Sequence, residues 1–408
     1  MTISKSLVLV GASAALAGAA APAAVAAVAA VEDDQLVSAP LETLESRMTR
    51  LQQSGTRVTR FGIMWNEVAR TRPAKPTDPN DPAYDWTRTD MLVRGLAARG
   101  INPIIAVYST PEWSAGRTVD PQVTQYNPYA PAAGDYRDFM RAAAKRYNGR
   151  FTPLAAPSAG GPGGTPTTTP SGPLPAVRLW EVWNEPNLKR FLRTSSGGAS
   201  IGVYLRLVRE AYPAVKAANP RAIVIAGSTG PRGGGVSADG IGARPWLSGL
   251  ARSPLSVKFD AYSQHIYPSK PPVSRTRAFP SWNSLSEIFA QLDARRAREI
   301  ARARGSAKAK LRRAPKMQVF ITEAGYTTGY GHVRTSRVTP RQQATYLRQM
   351  FGLRDVRNPR VPVVMWFNLQ DNAAWPGGLL AEDFSPKPAY AAFRALARRG
   401  SLPASLRR

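Results

Sequence analysis

The sequence predicts an α/β fold, a single-domain (β/α)8 TIM barrel, and three observations carry that prediction. Apolar runs of strand length alternate with amphipathic segments of helix length from about residue 27 to residue 397. Some of these runs are almost wholly apolar, as in INPIIAVY from Ile101 to Tyr108, which suits a parallel strand buried on both faces. Polar residues, two glutamates among them, gather where strands give way to loops, the place of the active site in such barrels.

Taken in order, Ala27 to Asp34 is the candidate first strand. Leu41, Leu44, Met48 and Leu51 share one helical face, and Gly55 ends that helix. Arg57 to Trp65 is the second strand, Asp90 to Ala98 a helix, and Ile101 to Tyr108 the third strand. Tyr136, Phe139, Met140, Ala143 and Tyr147 then recur at helical spacing. Val177 to Asn184 is the fourth strand, followed by a helix from Ile201 to Ala218 with Tyr204, Leu205, Val208 and Val215 on one side. Ala222 to Ala226 and Phe259 to Ile266 are strands five and six. Ser284 and Glu287 form a capping-box pattern for a helix that buries Leu285, Ile288, Phe289 and Leu292. Met317 to Thr322 is the seventh strand, and Thr339, Pro340 and Gln342 supply an N-cap, an N1 proline and an N3 glutamine. Val361 to Phe367 is the eighth strand, and Ala389 to Ala397 the closing helix. A doubly wound open sheet is the competing architecture, but no glycine-rich nucleotide loop follows any strand.

Residues 1–30 read as an export signal. Lys5 supplies positive charge, Ser6 to Ala20 is apolar and small, and alanine-rich cleavage options follow, so the mature chain is expected to start between about Ala21 and Val31. A secreted, extracellular catalytic domain over 31–400 is the expectation. Within it, 153–175 is rich in Gly, Pro, Thr and Ser without periodicity and is predicted to be a disordered insertion on the barrel's N-terminal face. No later segment offers about 18 uninterrupted apolar residues, so no membrane span is expected.

The formal net charge is +28 and the pI near 11.0, which favours acidic partners such as anionic wall polymers. The densest basic run, Arg295 to Lys316, holds no aromatic residue to stack on a base. It therefore reads as a solvated basic face, and no specific nucleic-acid partner is predicted. Cysteine is absent, which excludes a disulfide framework, a thiolate nucleophile and a Cys-ligated metal. Only two histidines, His265 and His332, are present, and the sequence predicts neither a metal nor a cofactor.

Two strand ends carry the chemistry. Strand four runs through RLWEVWNEPN into Glu185, and strand seven through QVFITEAGY into Glu323. Two carboxylates on separate strand ends, facing one pocket, are what glycosidic cleavage needs: one protonated to donate to the leaving oxygen, the other ionised to attack the anomeric carbon. Glu181, inside strand four, reads instead as a structural partner for a buried arginine. His332 and Asp371 receive no role.

The Trp-Asn-Glu-Pro and Thr-Glu-Ala-Gly stretches resemble those of clan A glycoside hydrolases, most closely families 5 and 39, the cellulase-like and β-xylosidase-like enzymes. The likeness spans roughly Asp33 to Leu396. It implies that Glu185, on strand four, is the acid/base and Glu323, on strand seven, the nucleophile. It further implies that Asn184 bonds the sugar 2-hydroxyl, and that His265 and Tyr267 line the sugar site and orient the nucleophile. Arg60 becomes the candidate for holding the nucleophile ionised, and Trp366 for the indole floor under the sugar. Trp65 and Trp113, at the mouths of strands two and three, are candidates for added stacking surface, with packing at the rim as the alternative.

The expected function is thus a secreted retaining glycoside hydrolase that cleaves β-O-glycosidic bonds of a poly- or oligosaccharide by double displacement, in polysaccharide degradation. A non-catalytic barrel that binds carbohydrate or anionic wall polymer is the alternative, and the presence of both glutamates argues against it.

Overall fold

Eight parallel strands form one sheet in the hydrogen-bonded order β1-β8-β7-β6-β5-β4-β3-β2. The computed structural model describes residues 27–118, 126–154, 172–232, 239–329, 337–400, 402–403 and 406. The strands are β1 Val28–Glu32, β2 Val58–Met64, β3 Asn102–Tyr108, β4 Leu179–Val182, β5 Ile223–Thr229, β6 Ala261–Ile266, β7 Gln318–Ala324 and β8 Val363–Phe367. Helices follow the strands around the outside, so the architecture is the (β/α)8 barrel that the alternation predicts. The ends of the hydrogen-bonded order, β1 and β2, meet through side chains. The Thr59 hydroxyl donates to the Val31 carbonyl at 2.8 Å, and the Val31 N–H donates to Thr56 Oγ1 at 3.3 Å.

Strand alternation sorts the side chains into two cores. Outward residues pack against the helices in the larger one, and inward residues fill the lumen. The lumen is itself divided. Its lower part is apolar, built from Val28, Ala30, Val58, Ile104, Ile225 and Phe320, with Leu406 of the C-terminal tail packed into the same cluster. Its upper part is polar and holds Glu32, Arg60, Glu181, Ser263 and Thr322, all buried. Among the described residues, the buried charged groups of the lumen thus sit at the end where strands run into loops.

Several sequence readings need adjustment. The helix Ile201–Ala218 has the expected bounds, and Thr339 and Gln342 form the expected capping box. The box proposed at Ser284 and Glu287 lies one turn earlier. Ser284 turns back so that the Ser281 N–H donates to its hydroxyl at 2.8 Å, and Glu287 instead pairs with Arg244 at 2.8 Å. The basic run forms two helices, Leu285–Arg302 and Gly305–Arg313, and is only partly a solvated face. Arg295 is buried, donating to the Ser253 hydroxyl at 2.8 Å and the Val257 carbonyl at 2.6 Å. Arg296 donates to the carbonyls of Leu311 and Ala314, the latter the C-cap of the second helix. Most of the predicted insertion, 155–171, lies outside the described residues, as does His332. Its flanks are joined where the Leu174 N–H donates to the Phe151 carbonyl at 2.9 Å.

Candidate active site

One cavity opens at the C-terminal end of the strands, and Arg60, Asn184, Glu185, Tyr267 and Glu323 all line it. His265 lies fully buried against the two carboxylates. The strand-end residues singled out from the sequence therefore come together, from β2, β4, β6 and β7.

Local departures from regular strand geometry make this possible. Strict alternation after Thr322, whose hydroxyl donates inward to Glu181, would turn Glu323 outward. The β6–β7 register instead skips a residue, pairing Gln264 with Ile321 and then His265 with Glu323. This bulge lets Thr322 and Glu323 both face the lumen. Beyond β4, Trp183 has φ 69° and Glu185 φ 38°, both left-handed. That path buries Trp183 in the outer core while Asn184 and Glu185, its immediate successors, both reach the cavity. The Glu185 N–H donates to the carbonyl of Ser228, itself at φ 42°.

Arg60 is the hub of the polar lumen. Its Nε donates to Glu181 at 2.6 Å, one terminal nitrogen to Glu323 Oε1 at 2.8 Å and to Glu32 at 3.3 Å, and the other to Asn184 Oδ1 at 2.7 Å and Ser228 Oγ at 3.2 Å. Glu181 also accepts from Ser263 at 2.6 Å and Thr322 at 3.1 Å, which makes it the structural partner of a buried arginine that the sequence suggested. Tyr267 donates its O–H to Glu323 Oε2 at 2.6 Å. Burial, then the negative charge of Glu323, pushes the Tyr267 phenol well above its usual value, so it keeps the proton it donates. Both oxygens of Glu323 thus accept short hydrogen bonds, one from a permanent cation, which fixes the carboxylate in place.

Glu185 is held differently. Its Oε1 lies 3.0 Å from His265 Nδ1, and its Oε2 accepts from Arg190 at 2.9 Å. Burial raises the Glu185 carboxyl, but the bond and charge of His265 and Arg190 outweigh it and bring it down to about 2. His265 Nδ1 also lies 3.3 Å from Glu323 Oε2, so one ring nitrogen stands between the two carboxylates. Ligand-type atoms of Glu185, His265 and Glu323 lie within 4.8 Å of one another, a grouping able to hold a cation. Each of the four carboxylate oxygens, however, is already paired with a protein donor, and two of those donors are guanidiniums. A metal would meet fixed positive charge there, and the donor set does not fit one.

The aromatic residues are distributed differently from the sequence reading. Trp366 is buried in the outer core, its indole donating to the Gly377 carbonyl at 2.9 Å, and it is not among the residues lining the cavity. Period two explains this: Met365 takes the inward position on β8, so Trp366 faces the helices. Phe367 and Trp375, the latter in the following loop, line the cavity, and Trp375 stands 4.7 Å from the Tyr267 ring centroid. Trp65 is fully buried and stacked on Phe139 at 5.3 Å, and Trp113 packs edge-on against it at 5.5 Å. Both pack at the rim. Asp371 pairs with Lys387 at 2.9 Å. Glu32 and Arg190 were missed by sequence reasoning, Glu32 because it closes a short alanine-rich strand, Arg190 because it lies in a loop with no periodic pattern.

Burial pushes the Glu32 carboxyl well above its ordinary value of 4.5; Arg60 opposes this, while Glu323 and Glu181 add to it. The unfolded chain therefore releases this proton first, and the fold loses stability as pH rises from about 4.5 toward the raised value. Glu185 has the opposite sign: its contribution is complete above 4.5 and is lost as pH falls toward about 2. Glu32→Gln, which imitates the protonated group, is expected to remove the first loss. Urea unfolding of both proteins above pH 4.5 checks this, and parallel stability curves would refute it.

The chain matches no protein-family model and no curated protein. Solved structures are similar over most of its length. A family 39 glycoside hydrolase from the gut symbiont Bacteroides cellulosilyticus WH2 shares 20% identity at a TM-score of 0.56, over 91% of this chain and 63% of that one. A family 39 β-xylosidase from Caulobacter crescentus shares 20% at a TM-score of 0.57, over 95% and 74%. An endo-β-1,4-glucanase from Xanthomonas axonopodis pv. citri, carrying a triple mutation, shares 12% at a TM-score of 0.51, over 92% and 100%. The chain thus spans less than two thirds of the first of these enzymes. What it has in common with these glycoside hydrolases is the (β/α)8 barrel, the fold that its strand-end motifs implied.

Proposed function

We propose that this protein is a retaining O-glycoside hydrolase of β-linked poly- or oligosaccharides, with Glu323 as nucleophile and Glu185 as acid/base. The observation that carries the reading is the closeness of the pair: a carboxylate oxygen of each lies within 4.8 Å of the other. Retaining enzymes hold their carboxyls about 5–5.5 Å apart, whereas inverting ones leave about 6.5–9.5 Å for a water. The unequal surroundings fit the division of labour. Glu323, bonded by Arg60 and Tyr267, attacks the anomeric carbon while Glu185 passes a proton to the leaving oxygen. Glu185 then takes a proton from the water that releases the sugar. Arg190 and His265 oppose protonation of Glu185, so productive binding must relieve at least one of these contacts.

A panel of aryl β-glycosides, with NMR of the first-formed sugar, tests the reading. The β-anomer is expected first. An α-anomer would establish inversion, and no hydrolysis of any member would reject the activity.

Export completes the proposal. β1 begins at Val28 and forms part of the barrel, so a leader that is removed must be cut at or before that residue. N-terminal sequencing of secreted protein is expected to find a start between about 21 and 28. A start beyond Val28 would contradict it, as would an exported chain that retains Met1. The exposed basic residues of 304–316 are the proposed contact for anionic wall polymers.

A further inference from the structure

Arg190 is a cation of the cavity, bonded to one of the two proposed catalytic carboxylates, to which the proposed reaction gives no task. It follows Glu185 by five residues in the loop beyond β4, and its side chain is 62% exposed against 5% for the carboxylate it bonds. It rests 4.9 Å from the Phe191 ring centroid, and Glu185 is its ion-pair partner among the described residues. Arg60, by contrast, is 4% exposed and held by five neighbouring side chains. Arg232 is exposed and lines the same cavity. Of the other acids in the lining, Glu32 and Glu323 accept from Arg60 and Asp33 pairs with Arg47 at 2.8 Å. Asp34, among the described residues, accepts only from amides, including that of Asn372 at 2.8 Å.

Arg190 donates to Glu185 and to no oxygen of Glu323. In the reaction proposed above, Glu185 is the group that faces the leaving oxygen, so Arg190 stands beside the place of the leaving sugar. Once Glu185 holds the proton it must donate, the guanidinium has lost its counter-charge. A carboxylate on the leaving sugar would replace it, supplying in bidentate geometry a counter-charge that a neutral sugar cannot offer.

We propose that Arg190 is a specificity-determining residue that binds a carboxylate on the leaving-group side of the scissile bond, so that the substrate is an acidic, uronate-bearing glycan. This rests on the glycosidase reading. Binding moves Arg190 from Glu185 Oε2 to the substrate carboxylate and frees Glu185 to hold its proton. The +28 charge of the chain favours its association with such a polyanion.

The test compares glucuronoxylan, gellan and hyaluronan, each of which contains β-linked sugars, with their carboxyl-reduced forms, in which each uronate becomes a neutral hexose. At least one acidic polymer is expected to be cut with kcat/KM about tenfold or more above its reduced form, the effect of one charge-assisted hydrogen bond. Arg190→Gln should bring that ratio close to one, and Arg190→Lys should keep part of it. Equal cleavage of acidic and reduced forms overturns the proposal, as does a preference that survives in Arg190→Gln. Cleavage of aryl glycosides but of none of the acidic polymers also overturns it and leaves the glycosidase reading standing. Loss of activity on every substrate, aryl glycosides included, is the separate result that rejects the glycosidase reading and this proposal with it.

Discussion

Glu323→Ala is expected to reduce kcat/KM by roughly four orders of magnitude or more on every substrate, because no covalent glycosyl-enzyme can form without the attacking carboxylate. Glu185→Ala is expected to behave differently in kind. It loses proton transfer, worth about 10²–10⁴-fold, so the loss should be large for poor leaving groups and small for one that departs without a proton. With such a substrate, added azide should restore turnover of Glu185→Ala and yield a β-glycosyl azide, since a small anion needs no general base. Azide has no comparable route in Glu323→Ala to a retained product. If azide rescued Glu323→Ala to the β-azide and left Glu185→Ala unchanged, the two roles would be reversed. If neither substitution slowed hydrolysis, the site would lie elsewhere.

Arg60→Ala should have the largest effect on folding. It removes a buried guanidinium from three carboxyls, an amide and a hydroxyl, and leaves Glu181 and Glu323 without their cation. Breaking a buried pair on one side costs about 3–5 kcal/mol, which for a chain of this size lowers Tm by roughly 4–6 °C. Arg60→Lys is expected to recover only part of the loss, because a single ammonium cannot reach acceptors spread around a planar fork. Calorimetry on both variants decides the matter, and a Tm within about 2 °C of the parent for Arg60→Ala would show that the cluster does not depend on its centre.

Much of the site was legible because strand ends can be read from composition. Apolar runs that stop at Asn184–Glu185 and at Glu323 put both carboxylates at one end of a barrel before any distance is known. What stayed hidden depends on side-chain direction. Period two applied to β8 would have placed Trp366 outward, yet the same rule applied to β7 would have placed Glu323 outward too, and only the bulge separates the cases. A bulge has no dependable signature in one sequence, because it is fixed by the neighbouring strands. Trp375 and Arg190 escaped for a related reason: both sit in loops, where spacing carries no periodic information. The first strand was blurred by an alanine-rich stretch that runs into it without a change in composition. Glu181 was assigned its structural role because a lone carboxylate inside a buried strand needs a cation.

The backbone at Trp183, Glu185 and Ser228 has a consequence for how such a protein can change over generations. All three hold positive φ, where a side chain costs on the order of 1–3 kcal/mol and glycine almost nothing. A variant with glycine at 185 would relax the backbone but give up the bonds of the carboxylate to His265 and Arg190. Folding alone thus pulls both ways at that position, and the acid role proposed above would add selection for turnover to the side that keeps glutamate.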